Sequence, residues 1–227
     1  MSQQFAHPTA GRHTALAKHG PFAWRALDLI TLAVLGVALG VAFWGFDTFL
    51  YYPLKALLAG FPPAQQLMLG IWILPAVAGM LLVRRPGAAL LCEMVAASVE
   101  MLLGTEWASL VLLAGLLQAM GVEVVAALWR WRRFDLMLAV LGGVLGAVFQ
   151  IVLYQWWFAA REFSWAWKLI YLAAGMISGA VIAGLGGRAL IRALAATGAV
   201  NAFPPGEEHL IATGELTTDM VPVGEKE

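Results

Sequence analysis

The chain has 227 residues and a formal net charge of zero; 61% of its residues are hydrophobic and only 12% are charged. A soluble domain sits nearer one half and one quarter, so this balance excludes an ordinary globular protein and points to a membrane protein. Zero net charge removes any case for nucleic-acid binding through a basic surface, and the single Cys92 excludes an internal disulfide and a multi-cysteine metal site.

Residues 1–26 are polar and mixed, and read as a cytoplasmic segment rather than a secretory signal, because the first apolar run is too long. Apolar stretches near the ~20 residues that span a bilayer follow at roughly 27–50, 66–83, 87–103, 107–129, 136–158 and 167–194. The fold class is therefore all-α, a polytopic membrane protein of six transmembrane helices. The first span carries GVALGVA, where Gly36 and Gly40, and Ala38 and Ala42, are four apart. Such a small-xxx-small surface suits docking against another helix. Gly175, Gly179, Ala183 and Gly187 repeat the pattern in the sixth span, so one stripe can serve internal packing and the other a partner.

Arg84-Arg85-Pro86 ends the second span, because proline lacks the backbone donor and disfavours helix just before itself. The third span keeps Glu93 and Glu100, seven residues and thus about 10 Å apart on nearly one face. In the fourth span Gln118 falls near the midplane and Glu123 at about the depth of Glu93. Arg188, at similar depth on the sixth span, completes an expected inner cluster of Glu93, Glu123 and Arg188 that fixes packing as a buried ion pair. In the outer half, Glu100 has Gln150, Tyr154 and Trp157 on one expected face of the fifth span, with Trp72, Glu106 and Trp107 nearby. Carboxylates, amides, a phenol and indoles are the groups of a small-molecule site, and intramembrane ionisable residues are candidates for function.

From about residue 199 the chain turns polar and acidic, and 199–227 reads as a mobile cytoplasmic tail. With both termini placed inside, eleven of the 14 positive residues lie on cytoplasmic segments. All four histidines lie in the terminal segments, so no intramembrane histidine serves as base or metal ligand; no phosphate-loop motif is present, and no cofactor or metal is expected.

GIW at 70–72, RRPGAALLCEMVAASVEMLLG at 84–104 and LLQAMGVE at 116–123 resemble the YkoE family of S components of energy-coupling factor (ECF) vitamin transporters. The resemblance covers about residues 66–200. It implies a substrate-binding subunit, not an enzyme, in a prokaryotic plasma membrane. It further implies capture of thiamine or its hydroxymethylpyrimidine precursor from outside, and work with a transmembrane T component and two ATPase subunits. The ligand contacts expected are Trp72, Glu100, Glu106, Gln118, Gln150, Tyr154 and Trp157, of which Trp72, Glu100 and Gln118 rest on the resemblance and the others on depth and facing. Gly36, Ala38, Gly40 and Ala42 are expected to dock the T component, as small residues of the first helix do in S components. Two alternatives stand: a secondary carrier using Glu93 and Glu123 as a proton relay, and an S component for another heterocyclic vitamin.

Overall fold

Every apolar run becomes a helix, because a backbone inside lipid must satisfy its own polar groups. The computed structural model describes residues 23–216, and no strand occurs among them. The expected tail beyond residue 216 and the N-terminal segment before residue 23 lie outside the described residues.

Six helical rods follow one another. The first runs from α1 (Ala26–Phe46) through a π-helical stretch (Asp47–Tyr51) into α2 (Tyr52–Leu57). A 3-10 turn (Pro62–Met68) opens the second rod, which continues as α3 (Gly70–Val83). The third is α4 (Ala88–Leu103) and the fourth α5 (Leu110–Leu128). The fifth is α6 (Leu136–Gln150) with a π-helical end (Ile151–Gln155). The sixth joins α7 (Trp165–Ser178) to α8 (Gly187–Ala196) through a third, longer π-helical stretch (Gly179–Gly186). Five of the rods are long and apolar enough to cross a membrane. The remaining rod, α4, has 16 residues and is the one that carries Glu93 and Glu100.

The second rod is the centre of the bundle: 78% of its most apolar stretch is buried, against 28% for the first rod. α3 packs on α1, α4, α5, α6 and α8. Its start is pinned by Ser178, whose hydroxyl accepts from the Gly70 N–H at 2.8 Å and donates to the Leu67 carbonyl at 2.6 Å. That side chain takes one of the donors that a helix start leaves without an intrahelical partner.

Glycines set how closely the rods approach. A Cβ on Gly143 would lie 2.1 Å from the Gly179 carbonyl oxygen, so α6 and the sixth rod touch backbone to backbone. In α1, a Cβ on Gly36 would lie 2.8 Å from the Cys92 carbonyl, and one on Gly40 would lie 2.5 Å from that of Ala96. The four-residue docking stripe expected on the first rod therefore divides. Gly36 and Gly40 are buried against α4, while Ala38 and Ala42 are exposed on another side of the rod. The reason is rotation: residues two apart are about 200° apart around a helix. The glycine stripe of the sixth rod is likewise internal, since Gly175, Gly179, Ala183 and Gly187 are all buried.

The arginine corner after α3 is a packing joint. Arg84 turns the chain in the left-handed region at φ 57, and Gly87 follows at φ 89. Arg85 reaches Asp28 at 2.9 Å, and Arg25 reaches the same carboxylate at 2.7 Å. Asp28 is fully buried between these two guanidiniums, and Arg85 also donates to the Ala23 carbonyl. A buried carboxylate so flanked locks the first rod to the corner, and removing one partner would strand the charge.

Residues 199–216 differ from the expected tail. Pro204–Ala212 forms α9, with Pro205 and Gly206 buried and Phe203 tucked in just before it. α9 packs on α3 and α8, and Glu208 accepts from Arg84. The Phe203-Pro204-Pro205 sequence explains the helix start, because proline suits the first helical position.

Candidate ligand-binding site

At the end of the bundle opposite the arginine corner, the rods enclose a cavity of about 330 Å³. That volume lies within the roughly 300–1,000 Å³ of small-molecule sites. Its floor is polar. Glu93 Oε2 accepts from the Ala76 N–H at 3.0 Å. With its amide nitrogen turned to the carboxylate, Gln118 donates to Glu93 Oε1 at 3.0 Å and to the Trp72 carbonyl at 2.9 Å. With the Gln150 amide turned as well, its nitrogen donates to the Gln118 oxygen at 2.5 Å. The orientation of such an amide follows from its network, and this one satisfies both ends.

Pro75 explains why these side chains reach α3 at that point. A regular helix would pair the Ala76 N–H with the Trp72 carbonyl, four residues earlier. The ring of Pro75 lies between them in sequence, and an interior proline distorts the turn it sits in. Both ends of that backbone pair are contacted from other rods, one by Glu93 and one by Gln118. The floor of the cavity is thus built around the proline-bearing turn of the central helix.

Above the floor the carboxyls of Asp47 and Glu100 meet each other. Asp47 is 6% and Glu100 1% exposed, and none of their four carboxyl oxygens receives a hydrogen bond of good geometry. The Trp72 indole N–H and the Thr105 hydroxyl lie beside them, equally unsatisfied. Three rings close the same wall: Tyr51 to Trp72 at 5.6 Å, Tyr51 to Trp107 at 5.2 Å and Trp72 to Trp107 at 5.8 Å, all edge-to-face. Lys55 marks the rim, pairing with Glu106 at 3.2 Å and lying 5.3 Å from the Tyr51 ring centroid.

Of the expected ligand contacts, the structure places Trp72, Glu100, Gln118, Gln150 and Tyr154 on the cavity wall. Glu106 stands at the rim with Lys55. Trp157 differs: it is 65% exposed, and its indole donates to the Val152 carbonyl at 2.9 Å. The cause is the π-helical end of the fifth rod, whose wider turn runs from the Trp156 N–H to the Ile151 carbonyl. That turn shifts the rotational phase, so Gln155 rather than Trp157 reaches the cavity. Trp157→Ala is accordingly expected to leave ligand affinity within about twofold of the wild type, measured by titration calorimetry.

The expected trio of Glu93, Glu123 and Arg188 is not brought together. Glu93 belongs to the cavity floor. Glu123 accepts from the Ala89 N–H at 3.0 Å and so caps the first turn of α4, where a carboxylate is favoured. Arg188 lines a groove at the far end of the bundle. Glu93 and Arg188 line concavities at opposite ends of the bundle, so the common depth expected for the trio does not hold, and Gly179–Gly186 rewinds the sixth rod just before Arg188.

Tyr51, Gln66, Gln155 and Tyr171 also line the cavity, and Asp47 meets Glu100 beside it; none of the five is among the expected ligand contacts. Asp47 and Tyr51 come inward at the π-helical stretch after α1. One signal is present in the sequence: Asp47 is a carboxylate within an aromatic run, with Trp44, Phe46, Phe49, Tyr51 and Tyr52 around it.

Comparison with known proteins places this geometry. Residues 27–149 match a family described as ABC-type cobalt transport system, permease component. YkoE of Bacillus subtilis (strain 168), which carries the name HMP/thiamine permease protein, is 32% identical over 187 residues, 82% of this chain and 92% of that protein. A crystal structure of an S component of an ECF transporter superposes with a TM-score of 0.78 at 30% identity, covering 88% of this chain and all of the other. Joined to an all-helical bundle with a polar, aromatic-walled cavity at one end, these matches place the chain in the YkoE family of S components, the substrate-binding membrane subunits of ECF transporters in the prokaryotic plasma membrane.

Proposed function

We propose that the cavity captures thiamine or its hydroxymethylpyrimidine precursor from outside the cell, and that the protein hands it on with a T component and two ATPase subunits. The observation that carries this reading is the meeting of Asp47 and Glu100 beside Tyr51, Trp72 and Trp107. Two buried carboxyls with no cation paired to them among the described residues make a place for a positive group. Ring faces and edges in the same wall suit a flat, cationic heterocycle. Thiamine joins an aminopyrimidine to a thiazolium, so the carboxyls serve the cation and the exocyclic amine, and the Gln118–Gln150 amides serve the ring nitrogens. A cation–ring contact contributes about 0.5–2 kcal/mol and a charge-assisted hydrogen bond about 1.5–3 kcal/mol. A few of each, with apolar burial, reach the roughly −12 kcal/mol of nanomolar binding. The name of the Bacillus subtilis relative supports the same substrate pair.

In this reading the cavity opens outward, and both termini and the arginine corners face the cytoplasm. The T component docks on the exposed side of α1 that carries Ala38 and Ala42. Calorimetric titration of the purified protein is the test. Thiamine is expected to bind with a dissociation constant near nanomolar, and the uncharged precursor more weakly because it lacks the thiazolium. Absence of binding to both compounds would sink the proposal, and tight binding of a neutral, non-aromatic solute would redirect it.

A further inference from the structure

The far end of the bundle holds a second concavity, about 750 Å³, between the start of α6, the end of α8 and α9. Five arginines line it: Arg84, Arg132, Arg133, Arg188 and Arg192. They come from three separate stretches of chain, and Arg188 and Arg192 share one face of α8 four residues apart. Two carboxylates also line it, and each is already engaged. Asp135 Oδ1 accepts from the Leu138 N–H at 3.1 Å as the cap of α6. Glu208 pairs with Arg84. Arg132, Arg133, Arg188 and Arg192 form no ion pair among the described residues. Like charges gathered in one groove repel, so an anion is the complement that this arrangement lacks.

Beyond the groove's own lining, the two rods that carry or follow these arginines present apolar surface. Leu136, Met137 and Leu141 of α6, and Val181 and Leu185 of the sixth rod, are exposed large hydrophobics that continue away from the arginines along the two rods. Forked guanidiniums match phosphate oxygens two at a time. A phosphate held there would leave any attached acyl chains lying along that apolar track. We propose that this groove seats the phosphate of an anionic phospholipid. The site is separate from the ligand cavity, which occupies the opposite end of the bundle. Basic pockets between membrane helices are a recurrent form of lipid headgroup recognition, and each arginine engaged is expected to favour the anionic lipid by about fivefold.

The test offers the purified protein equal amounts of phosphatidylglycerol and phosphatidylcholine and counts retained lipid by native mass spectrometry. Preferential retention of phosphatidylglycerol, lost in the Arg188→Gln, Arg192→Gln double variant, is the expected result. The Arg132→Gln, Arg133→Gln variant should lose part of the preference, which covers the case in which the first variant fails to fold. Thermal melting in phosphatidylcholine, unchanged in a variant, shows that its fold is intact. Equal retention of both lipids, or a preference that survives in both variants, overturns the proposal. A third arm uses inorganic phosphate alone. If it raises the melting temperature as much as phosphatidylglycerol does, the groove takes a soluble phosphate and the lipid assignment falls.

Discussion

Glu100→Gln is expected to weaken thiamine binding by tenfold or more, a loss of at least about 1.4 kcal/mol. Glu100 is buried, meets Asp47, and receives no hydrogen bond of good geometry. Its one side-chain neighbour of like kind is Asp47, and Gln keeps the shape of the side chain, so the substitution acts mainly by removing a counter-charge from the ligand site. Asp47→Asn should act in the same direction, and the double variant should lose less than the two single losses combined, because both carboxyls serve one cation. Calorimetry on the three variants decides it. Unchanged affinity in Glu100→Gln removes Glu100 from the site, and strict additivity means that the two carboxyls act apart.

The second large effect concerns the first rod. Replacing Ala38 and Ala42 with Trp is expected to abolish ATP-dependent uptake in the assembled transporter while leaving thiamine binding by the isolated subunit intact. Both positions are exposed, and small residues let another helix come close. Gly36→Leu and Gly40→Leu should behave in the opposite way. Their Cβ positions are filled by the backbone of α4, so added volume forces α1 outward. Overpacking of this kind costs about 1–3 kcal/mol per site, read as a lower melting temperature before any effect on uptake. Loss of ligand binding in the Ala38, Ala42 variant would mean that this face packs inside the protein and does not meet a partner.

Much of this was legible in the order of residues. Long apolar runs, the Arg84-Arg85-Pro86 stop and the clustering of positive charge determined helices, their approximate ends and a membrane setting. These are local properties: burial in lipid requires helix, and the Arg84-Arg85-Pro86-Gly87 corner interrupts it, whereas Pro75 and the glycines inside the rods do not. The spacing of Glu93 and Glu100 on one face also followed from helix geometry, and both carboxyls do line one cavity. Trp72, Gln118 and Gln150, each in a regular helix or at its end, line the same cavity, and so does Tyr154 from the π-helical end of the fifth rod.

Tertiary structure alone decided which charges meet. Hydropathy reports how deep a residue lies, but partners depend on rotation about the helix axis as well. Three π-helical stretches reset that rotation where a regular 3.6-residue period would have carried on. They bring Asp47 and Gln155 inward, leave Trp157 outside and send Arg188 away from Glu93. Asp28 shows the same limit from the other side: only folding joins it to Arg85 across the arginine corner. Composition and period are one-dimensional, and they determined the helices; the register between neighbouring helices is a property of packing, and it decided the site.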